Sequence, residues 1–372
     1  MQSLLRVSHG LGGGASTWSH ADLEEQALLV EVNAAGSYSD HFEIKIRIFE
    51  TTFELELSLQ DTFSLINNIK FKSLQLDSLP FMGGSKYLEF LRELSEYMDK
   101  IKDKTLLTLI AHDYYSICPS YNLINSHGKF CNVPSIETCR NCLKSNIFID
   151  ERYSETDIDD WRIRNSKLMS SLHKIYVLSE LSETLIRRTY PNLEEKVFKR
   201  IVPVRINNSP KKDIGTGLSS GIKIMSKVHT NKKVRVLFLG DINYAKGSEI
   251  IRSLLEINDN RNQFAFELLG STDLEGTIRG LTNYGRYSRH DLNDELHEIN
   301  PDIIMIPSIW PETYGFVADE VIGSGFKFIA FDFGGIYERF ANHSNAHFVK
   351  LIDPLQIYNE MLSISKSIGI EN

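Results

Sequence analysis

Apolar positions fall into short continuous runs, separated by longer stretches in which they recur every three or four residues. The runs at 4–10 (LLRVSHG), 27–33 (ALLVEVN), 106–113 (LLTLIAHD) and 174–180 (KIYVLSE) predict strands buried on both faces, with helices between them. Residues 42–58 (FEIKIRIFETTFELELS) instead alternate apolar and charged side chains, the pattern of half-exposed antiparallel strands. A stretch rich in Ser, Gly, Asn and Lys at 207–231 carries no apolar period and predicts a linker. After it the pattern restarts with KVRVLFLGD (233–241), KGSEIIRSLLEI (246–257), FAFELLG (264–270), a short NYGRY (283–287), DIIMIPS (302–308), FKFIAFD (326–332) and AHFVKLID (346–353). These are βα units of a largely parallel sheet. The fold class is therefore α/β, with one domain over 1–206 and a second over 232–372. The chain's 372 residues fit this division, being more than one hydrophobic core accommodates.

Charge narrows the function. The balance of 41 Lys+Arg against 49 Asp+Glu gives −8, which excludes a general nucleic-acid binder working by phosphate neutralisation. Residues 187–235 run against this balance with thirteen Lys+Arg and three Asp+Glu. Such a segment suits either a solvated linker or peripheral contact with an anionic membrane or a lipid-diphosphate acceptor. No apolar run approaches the roughly 20 residues that span a bilayer, and the first residues lack the apolar core of a signal peptide. A cytoplasmic protein, in places peripheral at the inner membrane face, is the expectation. The four cysteines, Cys118, Cys131, Cys139 and Cys142, share one insertion at about 114–145 and end in C-x2-C. That spacing suits a structural zinc pinning an insertion poor in apolar residues, with a reduced thiol cluster or an iron–sulfur site as alternatives.

The densest chemistry lies at 307–338, PSIWPETYGFVADEVIGSGFKFIAFDFGGIYE. Glu312 and Glu320 stand eight apart, and a helix is predicted from about Phe316 to Gly325. The amides of Gly315, Phe316 and Val317 then form a helix N-terminus, which attracts phosphate, while a nearby carboxylate accepts hydrogen bonds from sugar hydroxyls. Two glutamates at this spacing would alone be an ordinary acidic helix start. Here they sit among Trp-Pro-Glu-Thr-Tyr-Gly-Phe, a following strand and Gly334-Gly335-Ile336-x-Glu338.

In that combination the sequence closely resembles the retaining, metal-independent glycosyltransferases of family 4. The resemblance implies the GT-B architecture, two Rossmann-like domains facing across a cleft, with the last helix packing back on the N-terminal domain. It implies that Glu312 contacts the donor sugar and Glu320 the ribose hydroxyls, while Tyr314 and the amides at 315–317 help hold a nucleotide-diphosphate sugar. Lys246 matches the family lysine that neutralises the leaving diphosphate, but Asp241 stands where the family carries arginine. Either Arg286 or Arg289 supplies that charge, or Lys246 acts with the helix N-terminus alone. Gly12, Gly13 and Gly14 match a loop beneath the donor phosphates, with His20 shortly after. His112, at a strand end, matches a histidine that reaches the sugar or acceptor. Asp157-Ile158-Asp159 spells a metal-binding D-x-D, but it reads better as a helix start.

The resemblance implies transfer to a glycan or lipid-linked acceptor, as in bacterial surface polysaccharide synthesis, with no catalytic metal. A GT-B epimerase or phosphorylase and a non-catalytic sugar-nucleotide-binding subunit are the competing readings, the last motivated by Asp241.

Overall fold

The apolar runs become strands, and the computed structural model arranges them in two sheets. It describes residues 3–9, 26–36, 39–77, 79–80, 82, 86–150, 153, 155–200, 233–276, 278–351, 353–367 and 369. Gly12, Gly13, Gly14, His20 and the 207–231 linker lie outside these residues. The chain forms two compact units. One comprises Met1–Val202 with Trp310–Gly315 and Phe333–Glu338, and the other Pro203–Ile309 with Phe316–Asp332 and Arg339–Asn372.

The first unit holds an eight-stranded sheet in the order β4-β3-β2-β1-β5-β6-β7-β8. Its strands are β1 (Ser3–Ser8), β2 (Leu28–Ala34), β3 (His41–Ile48), β4 (Thr51–Ser58), β5 (Ser73–Asp77), β6 (Leu106–Ala111), β7 (Lys174–Val177) and β8 (Val197–Lys199). Neighbours run parallel from β2 through β8, and β3–β4 is an antiparallel hairpin added to the edge. The alternation at 42–58 is this hairpin's pleat. Phe42 and Ile44 face the core, while Glu43 and Lys45 pair across to Glu56 and Glu54 on the other face. Helices α1 (Leu59–Asn67), α2 (Tyr87–Ile101), α3 (Ile136–Leu143), α4 (Ile158–Ser170) and α5 (Glu180–Thr189) complete the unit. Four start on side-chain caps: Ser58, Ser135, Asp157 and Ser179. Asp157 of the D-x-D triplet is thus a helix cap, accepting from the Asp159 amide at 2.8 Å.

The insertion at 114–145 is anchored by aromatic packing. Trp161, fully buried, stacks on Tyr87 at 4.9 Å, meets the edges of Tyr115 and Tyr153, and donates from its indole nitrogen to the Tyr115 carbonyl at 2.8 Å. Arg162 donates to the Ile117 carbonyl, and Asn146 to that of Ile124.

Strand order in this sheet reverses at β1, and the carboxyl ends of β1, β5 and β6 carry a buried polar cluster. Asp77, with no exposure, accepts from Arg6 Nε at 2.6 Å and from Gln75, and its Oδ1 lies 3.7 Å from His112 Nε2. Arg6 also pairs with Glu31 at 2.8 Å. Burial pushes the Asp77 carboxyl up, but His112 and Arg6 outweigh it and leave the net shift downward. His9 is pushed down to about 4, first by burial and then by the neighbouring His112 and Arg6.

The second unit holds a six-stranded, wholly parallel sheet in the order β11-β10-β9-β12-β13-β14. Its strands are β9 (Val234–Ile242), β10 (Phe264–Thr272), β11 (Leu281–Asn283), β12 (Ile303–Ile306), β13 (Phe328–Phe331) and β14 (Ala346–Val349). Burial runs nearly unbroken along β9, β10, β12 and β13, as in sheets covered on both faces. The helices are α6 (Ser248–Arg261), α7 (Leu292–Ile299), α8 (Phe316–Gly323), α9 (Gly334–Phe340, whose first turn belongs to the first unit) and α10 (Pro354–Ser367). α10 packs on α6 and β14. Tyr358 meets the Phe264 ring at 4.8 Å and donates to Asn258 at 2.8 Å. Strand order reverses between β9 and β12, which opens a crevice outside their carboxyl ends.

Gly270, at φ +141°, holds β10 against β9, and a Cβ there would lie 1.9 Å from the Gly240 carbonyl oxygen. Gly270→Ala is expected to lower the second unit's stability by more than about 2 kcal/mol, whereas Gly276→Ala, with positive φ but open space, costs about 1. Equal shifts of the two melting transitions would refute this. For His9, the folded state binds fewer protons than the unfolded chain between about 4 and 6.5, so stability falls as pH drops through that window. Melting curves should show a shallower acid loss for His9→Gln than for the parent, and parallel curves would remove His9 as the cause.

Candidate functional site

In the second unit the sequence-predicted residues converge on the crevice between β9 and β12. β9 ends at Gly240-Asp241-Ile242 and passes into a short 3-10 turn, Tyr244–Lys246. Asn243 caps that turn by accepting from the Lys246 amide at 3.1 Å. The Ile309 amide, just beyond β12, donates to the Ala245 carbonyl at 3.0 Å and ties the turn to the neighbouring strand end. Lys246 is half-buried at this junction. α8 begins at Phe316, and the Val317 side chain packs against Gly240. The positive end of a helix thus meets the end of β9 beside a lysine, an arrangement that attracts an anion.

Glu320 lies one turn into α8. Its Oε1 is ion-paired with Arg289, while its Oε2 is buried without a hydrogen-bond partner. Burial pushes its carboxyl up, against the pull of Arg289. The neighbouring Asp319 is taken up by Arg339 and is structural. Tyr287, whose hydroxyl burial pushes well up, sits in the field of Glu320, Arg289 and Asp241. Asp241 is exposed and accepts a hydrogen bond from Ser271. Beside that pair opens a cavity of about 530 Å³ lined by Gly270, Ser271, Asn283, Gly285 and Arg286, among others, outside the ends of β10 and β11.

In the first unit the structure joins His112 and Glu312. The loop Trp310–Gly315 is held to the end of β6 by the Thr313 hydroxyl, which donates to the His112 carbonyl at 2.7 Å. The Tyr114 hydroxyl donates to the Pro311 carbonyl at 3.2 Å. Gly335 donates its amide to the Glu312 carbonyl at 2.7 Å, and a Cβ there would lie 2.4 Å from the Thr313 oxygen. The Gly-Gly pair is thus what lets the start of α9 close on the glutamate loop. Glu338 caps α5 by accepting from the amides of Glu180 and Leu181. Tyr314 is buried. His112 is itself almost wholly buried, its side chain 7% exposed.

The four thiols share one neighbourhood, and burial pushes Cys118 well up and Cys131 up to about 11. Among the described residues no three His, Cys, Asp or Glu side chains are placed to hold a metal ion. Two of the sulfurs also accept hydrogen bonds. Cys142 accepts from the Ser126 amide at 3.3 Å and Cys139 from Arg162 at 3.5 Å. The insertion buries Tyr114, Tyr115, Ile117, Leu123, Ile124 and Leu143 of its own, and Trp161, Tyr87 and Tyr153 pack on Tyr115 from outside it.

Several described cations of the basic stretch are occupied. Arg187 pairs with Glu183, Arg188 donates to the Asn132 carbonyl, Lys196 to Ser170 and Leu172, and Lys199 to Glu180. Among the described residues no helix is long and apolar enough to cross a membrane. The sequence reading missed Tyr287 and Asp77. Around Tyr287 the local sequence points only to Arg286 and Arg289, and Asp77 closes an apolar strand whose partners lie far along the chain.

No family model matches the sequence, and no curated protein matches it in sequence. Solved structures match it in shape. HepE from Anabaena, in complex with UDP and glucose, matches over 99% of this chain and 90% of its own at 14% identity, with a TM-score of 0.58. Sucrose-phosphate synthase from Thermosynechococcus elongatus does so over 98% and 90% at 13% identity, with a TM-score of 0.58. A glycosyltransferase from Rickettsia africae matches over 99% and 89% at 12% identity, with a TM-score of 0.51. At these identities the likeness gives the fold, and that fold is GT-B.

Proposed function

We propose that this protein is a glycosyltransferase that takes a sugar from a nucleoside-diphosphate donor bound at the carboxyl edge of the second sheet. The observation that carries this reading is Glu320. A carboxylate with one buried, unpartnered oxygen, one turn inside a helix whose N-terminus meets Lys246 and the end of β9, offers a ribose diol and a diphosphate adjacent places. The cavity beside Asp241 has room for the base. Support from outside comes from HepE, which has been crystallised with UDP and with UDP-glucose.

On this reading Glu320 holds the ribose. Lys246 and the amides of Phe316 and Val317 stabilise negative charge growing on the departing diphosphate, the largest electrostatic demand of the reaction. Glu312 and His112 are assigned the donor sugar. The closest functional parallel is the retaining family 4 type. There the bond from the anomeric carbon to the phosphate oxygen breaks, the acceptor oxygen bonds to the same face, and the acceptor's proton passes to the leaving phosphate oxygen. This route asks for no metal from the protein. The acceptor is proposed to be a glycan or lipid-diphosphate-linked chain of a bacterial surface polysaccharide. Peripheral contact with the inner membrane face would fall to the part of the basic stretch outside the described residues.

A second reading, a non-catalytic sugar-nucleotide-binding subunit, draws on Asp241, a carboxylate at the edge of a site meant for phosphate. It predicts donor binding with neither transfer nor hydrolysis.

A melting screen with UDP, GDP, ADP and their common sugar conjugates should show a rise of about 5 °C for one base at a hundredfold excess over Kd. Glu320→Ala should abolish that rise, and a flat screen would refute the donor site. In turnover assays Lys246→Ala should lower kcat about 10²–10³-fold with a small change in donor KM. A kcat within a few-fold of the parent would remove Lys246 from the charge-stabilising role.

A further inference from the structure

We propose that Arg289 is the second cation of the diphosphate site, stored on Glu320 until a ribose claims that carboxylate. The inference rests on reading the second unit as the donor site.

The charges at the crevice are the starting point. The end of β9 and the first turns of α8 bring together Lys246, Asp241 and Glu320, one positive group and two negative ones. A diphosphate entering that set would meet net repulsion, relieved only by the helix N-terminus. The missing positive charge is close by. The Arg289 guanidinium lies over the ring of Phe316, 5.8 Å from its centroid, and Phe316 is the first residue of α8. Arg289 is therefore already at the helix end where the phosphates belong. The Tyr287 hydroxyl feels Arg289, Glu320 and Asp241 together, which places all three in one neighbourhood.

Arg289 holds Glu320 through Nε on Oε1 alone, and Oε2 waits without a donor. A ribose presents two adjacent hydroxyl donors, and a diol that sets one hydroxyl on each carboxylate oxygen competes with Arg289 for Oε1. In this proposal that competition displaces Arg289 from Oε1. With 41% of its side chain exposed, Arg289 has room to turn along the Phe316 ring toward the phosphates, where its planar fork matches phosphate oxygens. The same exchange makes the site selective. A nucleoside must displace Arg289 and gains nothing from it, whereas a nucleoside diphosphate displaces it and then uses it.

Calorimetric titration of the full chain with UDP and uridine, and with GDP and guanosine, at pH 8 to keep Glu320 ionised, tests the proposal. Arg289→Ala should weaken the diphosphate about tenfold or more while leaving the nucleoside unchanged or tighter. Arg289→Lys should recover part of the diphosphate affinity, because it restores the charge without the fork. Equal weakening of nucleoside and diphosphate in Arg289→Ala would reduce Arg289 to a support for Glu320 and overturn the proposal, as would an unchanged diphosphate affinity. If the parent bound neither diphosphate, the donor-site reading would fail and this proposal with it. Diphosphate binding by the parent that Arg289→Ala leaves intact fails the proposal alone.

Discussion

A strand buried on both faces can present chemistry only at its ends, and the second unit is organised by that constraint. Along β9 the residues from Val234 to Gly240 are packed between helices, and the first exposed side chain is that of Asp241. Because β10 follows on one side of β9 and β12 lies on the other, the connections leaving these strand ends diverge. The gap between them admits the Lys246 turn and the start of α8. Close contact of Gly270 with the Gly240 carbonyl keeps the β9 and β10 ends level, and the amide bond from Ile309 to Ala245 fixes the turn against the β12 side. The position of Glu320 follows, because α8 is docked through Val317 on Gly240.

The first unit meets the same constraint with a costlier device. Asp77 ends β5 inside the sheet, where an isolated carboxylate would cost several kcal/mol. Arg6 from β1, Gln75 from its own strand and His112 from the end of β6 surround it. Three strand ends are thereby tied at the point where this sheet reverses order. The Thr313 hydroxyl on the His112 carbonyl carries that rigidity to the loop bearing Glu312. A fixed electrostatic knot and a fixed glutamate loop are consequences of one buried charge.

Local pattern carried far in this chain. Unbroken apolar runs marked the parallel strands because both sheet faces are covered, and alternation at 42–58 marked the exposed hairpin. The start of α8 was readable because a turn and an acidic first turn are local signals. Long-range partners left no such trace. Arg289 is 31 residues from Glu320 and Arg6 is 71 from Asp77. No residue between them reports which side chains will meet.

Magnitude decides whether the Arg289–Glu320 pair can serve as a store rather than a lock. A fully buried ion pair costs about 3–5 kcal/mol to break by losing one partner, comparable to the about 3–6 kcal/mol that a ribose diol returns through two hydrogen bonds to a charged acceptor. Pairs exposed to solvent are worth about 1 kcal/mol or less, because water screens the attraction and solvates both ions. With 41% of Arg289 and 19% of Glu320 exposed, this pair stands near the weak limit on the arginine side and near the buried limit on the glutamate side. Releasing Arg289 into solvent and phosphate is therefore cheap, while leaving Glu320 without donors is not. That asymmetry favours exchange of donors on Glu320 over simple opening, so the cation is freed only when sugar hydroxyls are there to replace it.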